Sequence, residues 1–373
     1  MTTRQAGRPS SRNDSPSRRV AIALQGGGSH GAFTWGVLDR LLQEPGFEIV
    51  GASGTSAGAM NAGILADGLR RGGATKARGA LAHYWEDVGR LPGYASFSPR
   101  ASFAAAPTWH LEHDPLFLWH EALTRMWSPY ETNPFNYNPL RKLLERIDFE
   151  GLRNDPGAMR VFICATNVRT GLRHVFENAE LSAEVLLASA ALPQVSQAVQ
   201  IDGEHYWDGG YTGNPALAPL YLNTDAADLI IVGINPIVRA ELPRTARAII
   251  DRVGEISFNS SLIGEVAAIA FFEDMMKSRP ADPGFRRVFV HGIGDAALAS
   301  FGASSKMNNH PDFLRHLHHL GECAAERWLA ENRENVGIRS TVDLSGLVPT
   351  RHAPLTSPSL SRKAQPQKHK VHT

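Results

Sequence analysis

The sequence predicts an α/β fold whose largely parallel sheet is covered by helices on both faces. Two observations carry this. Short, almost unbroken apolar runs alternate with longer stretches whose apolar residues recur at helical spacing; a strand buried on both faces needs such a run. Hydrophobic residues make up 43% of the 373 and charged residues 20%, which is ordinary for a globular chain and excludes wholesale disorder. Length fits two or three domains or one large α/β domain. No repeat and no convincing linker divides the body.

The elements follow in chain order. Residues 1–19 hold five Arg, one Asp and little that can be buried, and are expected to form a disordered basic tail. Val20–Leu24 (VAIAL) is the first strand, and Gly31–Leu42 has helical spacing. Glu48–Ala52 is the second strand, with helix Ala57–Leu69 behind it. Val161–Ala165, Leu229–Ile234 and Val288–Val290 bring the count to at least five strands. Residues 92–137 hold Trp109, Phe117, Trp119, Trp127, Tyr130 and other aromatics among prolines. Residues 244–277 read as one or two helices with an apolar face. Both segments are extra core or a cap over an apolar pocket. Pro311–Ala330 is a further helix, and residues 331–373 a second, largely disordered basic tail. One folded domain is therefore expected over 20–330.

Charge narrows the function classes. The net charge is +1, but residues 1–19 carry +4 and residues 349–373 carry +5, so the residues between carry −8. An acidic body between basic tails does not suit a nucleic-acid binder. Cys164 and Cys323 cannot build a disulfide framework, and the cytoplasm is the expected compartment. The basic start is followed by only five apolar residues before Gln25, unlike a signal peptide. The most apolar stretches, Leu181–Leu192 and Ser261–Phe272, are each interrupted by a glutamate and are not expected to span a membrane. Basic tails have the chemistry for peripheral contact with anionic lipid.

Three motifs carry chemistry. Gly54-Thr55-Ser56-Ala57-Gly58 is a G-x-S-x-G between a strand and a helix, the setting that motif requires. The turn forces its serine into strained backbone, glycines leave room for it, and the helix starting at Ala57 aims N–H groups at developing negative charge. Directly after the first strand comes Gln25-Gly26-Gly27-Gly28-Ser29-His30-Gly31. Gly26, Gly28 and Gly31 fit a G-x-G-x-x-G dinucleotide fingerprint and hence an oxidoreductase. The same glycines also fit an oxyanion hole, with N–H groups turned inward. The second strand favours the latter, because it runs into Ser56 and not into a ribose-binding acid. The third motif is Asp208-Gly209-Gly210, ahead of Asn214-Pro215. A serine nucleophile needs a base. The histidines that follow Ser56 sit in no recognisable loop motif, whereas an aspartate held at a glycine turn can take the proton directly.

In this order the three motifs resemble the patatin-like phospholipases, over roughly residues 20–330. Ala188-Ser189-Ala190-Ala191-Leu192-Pro193 and Asn214-Pro215 add to the resemblance. It implies a three-layer α/β/α sandwich with a mostly parallel central sheet and hydrolysis of acyl ester bonds in lipids. It also implies a Ser56–Asp208 dyad, an oxyanion hole from Gly26, Gly27, Gly28 and Ala57, and motif glycines Gly54, Gly58, Gly209 and Gly210. No cofactor and no metal are expected; the partner is an acyl-ester lipid. In place of the family's Arg or Lys two positions after the triple glycine stands His30, partly charged at neutral pH, which leaves neutral esters as open as phospholipids. A non-catalytic lipid- or protein-binding relative is the remaining alternative. His316, His319 and Glu322 lie a turn apart on the late helix, a spacing a metal can use but a solvated helix face explains.

Overall fold

Alternate residues of the first strand enter two different cores, and this sets the architecture. In the computed structural model, which describes residues 18–92, 109–112, 114–278 and 286–343, the elements run β1 (Arg18–Leu24), α1 (Gly31–Leu41), β2 (Phe47–Gly54), α2 (Ala57–Arg90), α3 (Pro115–Met126), α4 (Pro129–Thr132), α5 (Leu140–Leu144), α6 (Phe149–Asn154), β3 (Arg160–Asn167), β4 (Arg173–Phe176), α7 (Ala183–Ser189), β5 (Val199–Ile201), β6 (Glu204–Asp208), α8 (Ala218–Asn223), β7 (Asp228–Val232), α9 (Ala246–Ser278), β8 (Phe289–Ile293) and α10 (Pro311–Asn332). Val20, Ile22 and Leu24 pack on one side with residues of α1, α2, α7 and α10. Ala21 and Ala23 pack on the other with Leu217, Leu220, Leu262, Val266 and Ile269 of the α8 and α9 region. The period-two alternation of a strand makes this division, and the result is three layers, α/β/α.

The sheet order is β5-β6-β3-β2-β1-β7-β8, with β4 also paired to β3. Strands β3, β2, β1, β7 and β8 are parallel neighbours; β4, β5 and β6 join antiparallel. Leu24 of β1 lies opposite both Gly54 of β2 and Val232 of β7. The loops leaving these three strands therefore meet at one sheet edge, where open α/β sheets bind ligands. The strands expected from apolar runs are all present. The antiparallel strands were not foreseen, because they are only three to five residues long and carry no apolar run.

Other expectations need correction. Helix α2 does not stop at Leu69: it breaks at Gly72 and Gly73, whose backbone is non-helical, and resumes to Arg90. Residues 244–277 supply core over their second half, whereas Ile249, Ile250, Val253 and Ile256 in the first half are exposed. The segment forms α9, which packs Leu262, Val266, Ile269 and Ala270 on the sheet. By length and composition its residues Ala246–Met275 also suffice to cross a membrane. Of the other suspected cap, residues 93–108 and 113 lie outside the described residues; the rest forms α3 and α4, with Trp119, Met126 and Phe135 exposed. The tails also differ from expectation. Arg18 and Arg19 already belong to β1, and Arg19 is ion-paired with Asp225 and Glu48. At the other end, order continues past 330: Val336 and Val342 are buried, and the N–H groups of Thr341 and Val342 donate to Val290 O. Residues 1–17 and 344–373 lie outside the described residues.

Candidate active site

The turn between β2 and α2 holds Ser56 at φ 54°, ψ −122°. A side chain in this left-handed region is strained and must be held by its surroundings. Those holds are visible. The Ser56 N–H donates to Ser189 Oγ at 2.9 Å, and Ser189 donates to Cys164 O at 2.6 Å. Thr55 Oγ1 donates to Gly213 O at 2.6 Å. Gly54 and Gly58 close the turn: a Cβ on Gly54 would overlap the Gly58 backbone, and one on Gly58 would overlap Leu24 O.

Asp208 ends β6 and is buried, with its own N–H donating to Ala191 O at 2.9 Å. Its Oδ1 accepts the Gly210 N–H at 2.7 Å. Its carboxyl is pushed up to about 7, chiefly by burial; the Gly210 N–H, the Ser56 side chain and the charge of Lys306 pull in the opposite direction. The serine and the aspartate are thus adjacent. No hydrogen bond within 3.5 Å reaches Oδ2 among the described residues, so the pair is not closed into a Ser–Asp bond. Gly209 lies too close to Cys164 O, and Gly210 too close to the Phe258 ring, for either to carry a Cβ. Phe258, from α9, also meets the Tyr211 ring edge-on at 5.2 Å between centroids.

Gly26, Gly27 and Gly28 form the facing wall. A Cβ on Gly26 would lie 2.7 Å from that of Ser56, so only glycine permits this approach. The Gly26 N–H, expected in the oxyanion hole, is instead donated to Asn214 Oδ1 at 2.6 Å. It is not free to hold a reacting oxygen. The N–H groups of Gly27, Gly28 and Ala57 enter no loop or cap hydrogen bond among the described residues, as the start of a helix leaves them. Gln25 anchors the loop beneath: its Oε1 accepts N–H groups of Ile234 and Asn235 at 2.9 and 3.0 Å, and its Nε2 donates to Asn259 Oδ1 at 3.1 Å. Asn235 Nδ2 donates to Gly26 O at 2.7 Å, and Lys306 Nζ donates to Asn235 Oδ1 at 2.7 Å.

His30 does not serve as a partly charged group. It is buried and lies 2.8 Å from Ser305 Oγ. Ser305 gives its own proton to Gly302 O at 2.7 Å, so His30 donates through Nε2. Burial, reinforced by the charge of Lys306, lowers its pKa to about 3. His319 lies 3.8 Å from Glu322, but His316 does not join them. His316 stacks on Trp109, and it is Asp39, His318 and Glu322 that converge, with Arg78 ion-paired to Asp39.

Asn235, Asn259 and Lys306 were not foreseen. Asn235 had one available signal, its place just past a parallel strand at the site edge. Asn259 and Lys306 arrive from a layer helix and from the 3₁₀ turn Ala303–Met307, for which chain spacing gives no warning.

The model of the patatin-like phospholipases matches residues 22–221, more than half of the chain. The chain belongs to the patatin-like phospholipase family. It is therefore a member of a family of lipid acyl hydrolases. The match covers all three motifs and ends before Asn235, α9 and Lys306. The crystal structure of VipD from Legionella pneumophila is similar at 14% identity, covering 82% of this chain and 67% of that one, with a TM-score of 0.33. No curated protein matches the chain.

Proposed function

We propose that the protein cleaves carboxylic ester bonds of lipids, with Ser56 as nucleophile, Asp208 as base and an acyl-enzyme between the two half-reactions. One observation carries this reading: a strained, glycine-flanked serine stands beside a buried carboxyl that has an uncommitted oxygen. Asp208 takes the Ser56 proton as Oγ bonds to the ester carbonyl carbon. The carbonyl oxygen gains the negative charge and is held by N–H groups of Gly27, Gly28 and Ala57, the electrostatic contribution that usually weighs most in acyl transfer. Collapse expels the alcohol, which leaves with the proton from Asp208. Water then attacks the acyl-enzyme with Asp208 again as base, releasing the fatty acid and restoring Ser56.

A general base serves best with a pKa near the working pH, and burial brings Asp208 to about 7. The dinucleotide alternative has less support: the turn after β2 carries Ser56 where that fold needs an acid.

Ser56→Ala should abolish hydrolysis of a p-nitrophenyl acyl ester and labelling by a fluorophosphonate, with the thermal melt unchanged. Asp208→Asn should lower turnover by about 10⁴-fold, as loss of a base from such a unit does. Wild-type turnover in either variant would reject the reading.

A further inference from the structure

Resting on the Ser56–Asp208 reading, we propose that Lys306 is a positioning residue for the reaction: through Asn235 its ammonium aims the glycine loop at the reacting oxygen.

The geometry runs in one direction. A lysine ammonium can only donate, so the atom of Asn235 that receives Nζ at 2.7 Å must be Oδ1. That fixes the amide: Nδ2 faces the other way and donates to Gly26 O at 2.7 Å. A trans peptide points its carbonyl and its N–H in opposite directions. Drawing Gly26 O toward Asn235 therefore turns the Gly27 N–H away from Asn235. Nδ2 also donates to Gln25 Oε1 at 3.4 Å; without a donor at Lys306, Asn235 Oδ1 is left unpaired and the side chain that holds Gly26 O loses its rear anchor.

The 3₁₀ turn Ala303–Met307 that carries Lys306 is locked to the loop at two more points. Gly28, at φ 58°, lies against Lys306 O so closely that a Cβ would overlap it. His30 is bonded to Ser305. His30, two positions after the triple glycine, is a neutral ring, and Lys306 brings a cation to the loop through Asn235.

Burial lowers the Lys306 pKa and Arg239 lowers it further, while the charges of Glu255 and Asp251 of α9 and of Asp208 itself oppose this and favour the ammonium. Glu255 is already paired with Arg239 and Arg252. Lys306 is the cation that bears on Asp208 and favours its ionised form. Cys164 and Tyr211 also face Asp208, and both thiol and phenol are pushed up by burial and by its charge.

The test compares Lys306→Met, Lys306→Gln and Asn235→Ala in the full chain, reading p-nitrophenyl ester turnover and the rate of Ser56 phosphonylation by a fluorophosphonate across pH. Lys306→Met should lower kcat by about 10-fold or more with KM little changed, since misaimed oxyanion donors are felt in the transition state. Its acid limb should move to higher pH, because Asp208 loses a stabilising charge. The glutamine can still donate to Asn235 Oδ1 but carries no charge, so it should recover kcat and keep the displaced acid limb. Adding Asn235→Ala to Lys306→Met should cost nothing further, as members of one relay are non-additive. A folded Lys306→Met or Lys306→Gln with the wild-type kcat and pH profile would overturn the proposal, as would full additivity. If wild-type Ser56 is not phosphonylated at all, the Ser–Asp reading falls first; if it is and the Lys306 variants match it, only the role of Lys306 falls.

Discussion

At the scale of single residues, the role proposed for Asp208 ties activity to stability through one proton. Its folded-state pKa of about 7 lies above the ordinary 3.8, so the native state holds this proton more tightly than the unfolded chain. The corresponding stability is fully present below about 4 and is lost as pH rises through 7. The proposed mechanism needs the opposite form, so under it kcat/KM should climb with pH to a plateau above about 7. Asp208→Asn removes the buried charge. It should raise the melting temperature at pH 8 and change it little at pH 4; calorimetry at the two values checks this, and a shift confined to pH 4 would contradict it. His30 carries the reverse linkage. Its pKa of about 3 is below the ordinary 6.5, so its contribution is present above 6.5 and lost as pH falls toward 3. Ser56 and Asp208 were both legible in the sequence, because strand, glycine turn and helix are local features. The neutrality of His30 was not, since it comes from burial and from the charge of Lys306, both products of tertiary packing.

Among elements, the loop after β1 and the turn after β2 are set side by side by parallel pairing of their strands. Apolar runs announced these strands, and the glycines announced the turns. What the pattern left undecided was which N–H groups face the substrate. Gly26 was grouped with Gly27 and Gly28, yet Asn214, far along the chain, takes its N–H. Gly28 illustrates how little tolerance remains. Alanine there must hold φ 58° and overlap Lys306 O; a left-handed alanine alone costs about 1–2 kcal/mol. Gly28→Ala should lower kcat by about 10²-fold, comparable to losing an oxyanion donor, and lower the melting temperature by a few degrees. Steady-state kinetics with a thermal melt reads both. Helix α9 shows the same limit at larger size. Its apolar face was evident in the sequence, but only Leu262, Val266, Ile269 and Ala270 cover the sheet; Ile249, Ile250, Val253 and Ile256 are exposed, and Phe258 and Asn259 reach the site.

For the whole molecule, the folded unit extends beyond the family match and beyond the expected end at 330. Val336 and Val342 close the two cores, and the Gly337 N–H donates to Asp228 Oδ1 at 2.7 Å, the carboxylate that also bonds His291. A chain ending at 330 should be less stable than one ending at 343 by on the order of 5 kcal/mol, from two buried valines and the lost hydrogen bonds. Denaturant melts of the two truncations measure this, and equal midpoints would exclude it. The sequence by itself determined the fold class, the parallel strands, and the candidate pair Ser56 and Asp208. Each rests on a run or turn of a few neighbouring residues, where backbone sterics and side-chain burial act locally. Tertiary structure alone decided that His30 is neutral, that the Gly26 N–H is spent, and that Asn235 and Lys306 stand behind the glycine loop. Desolvation and hydrogen-bond partnership depend on groups brought together from hundreds of positions apart, and no spacing along the chain encodes them.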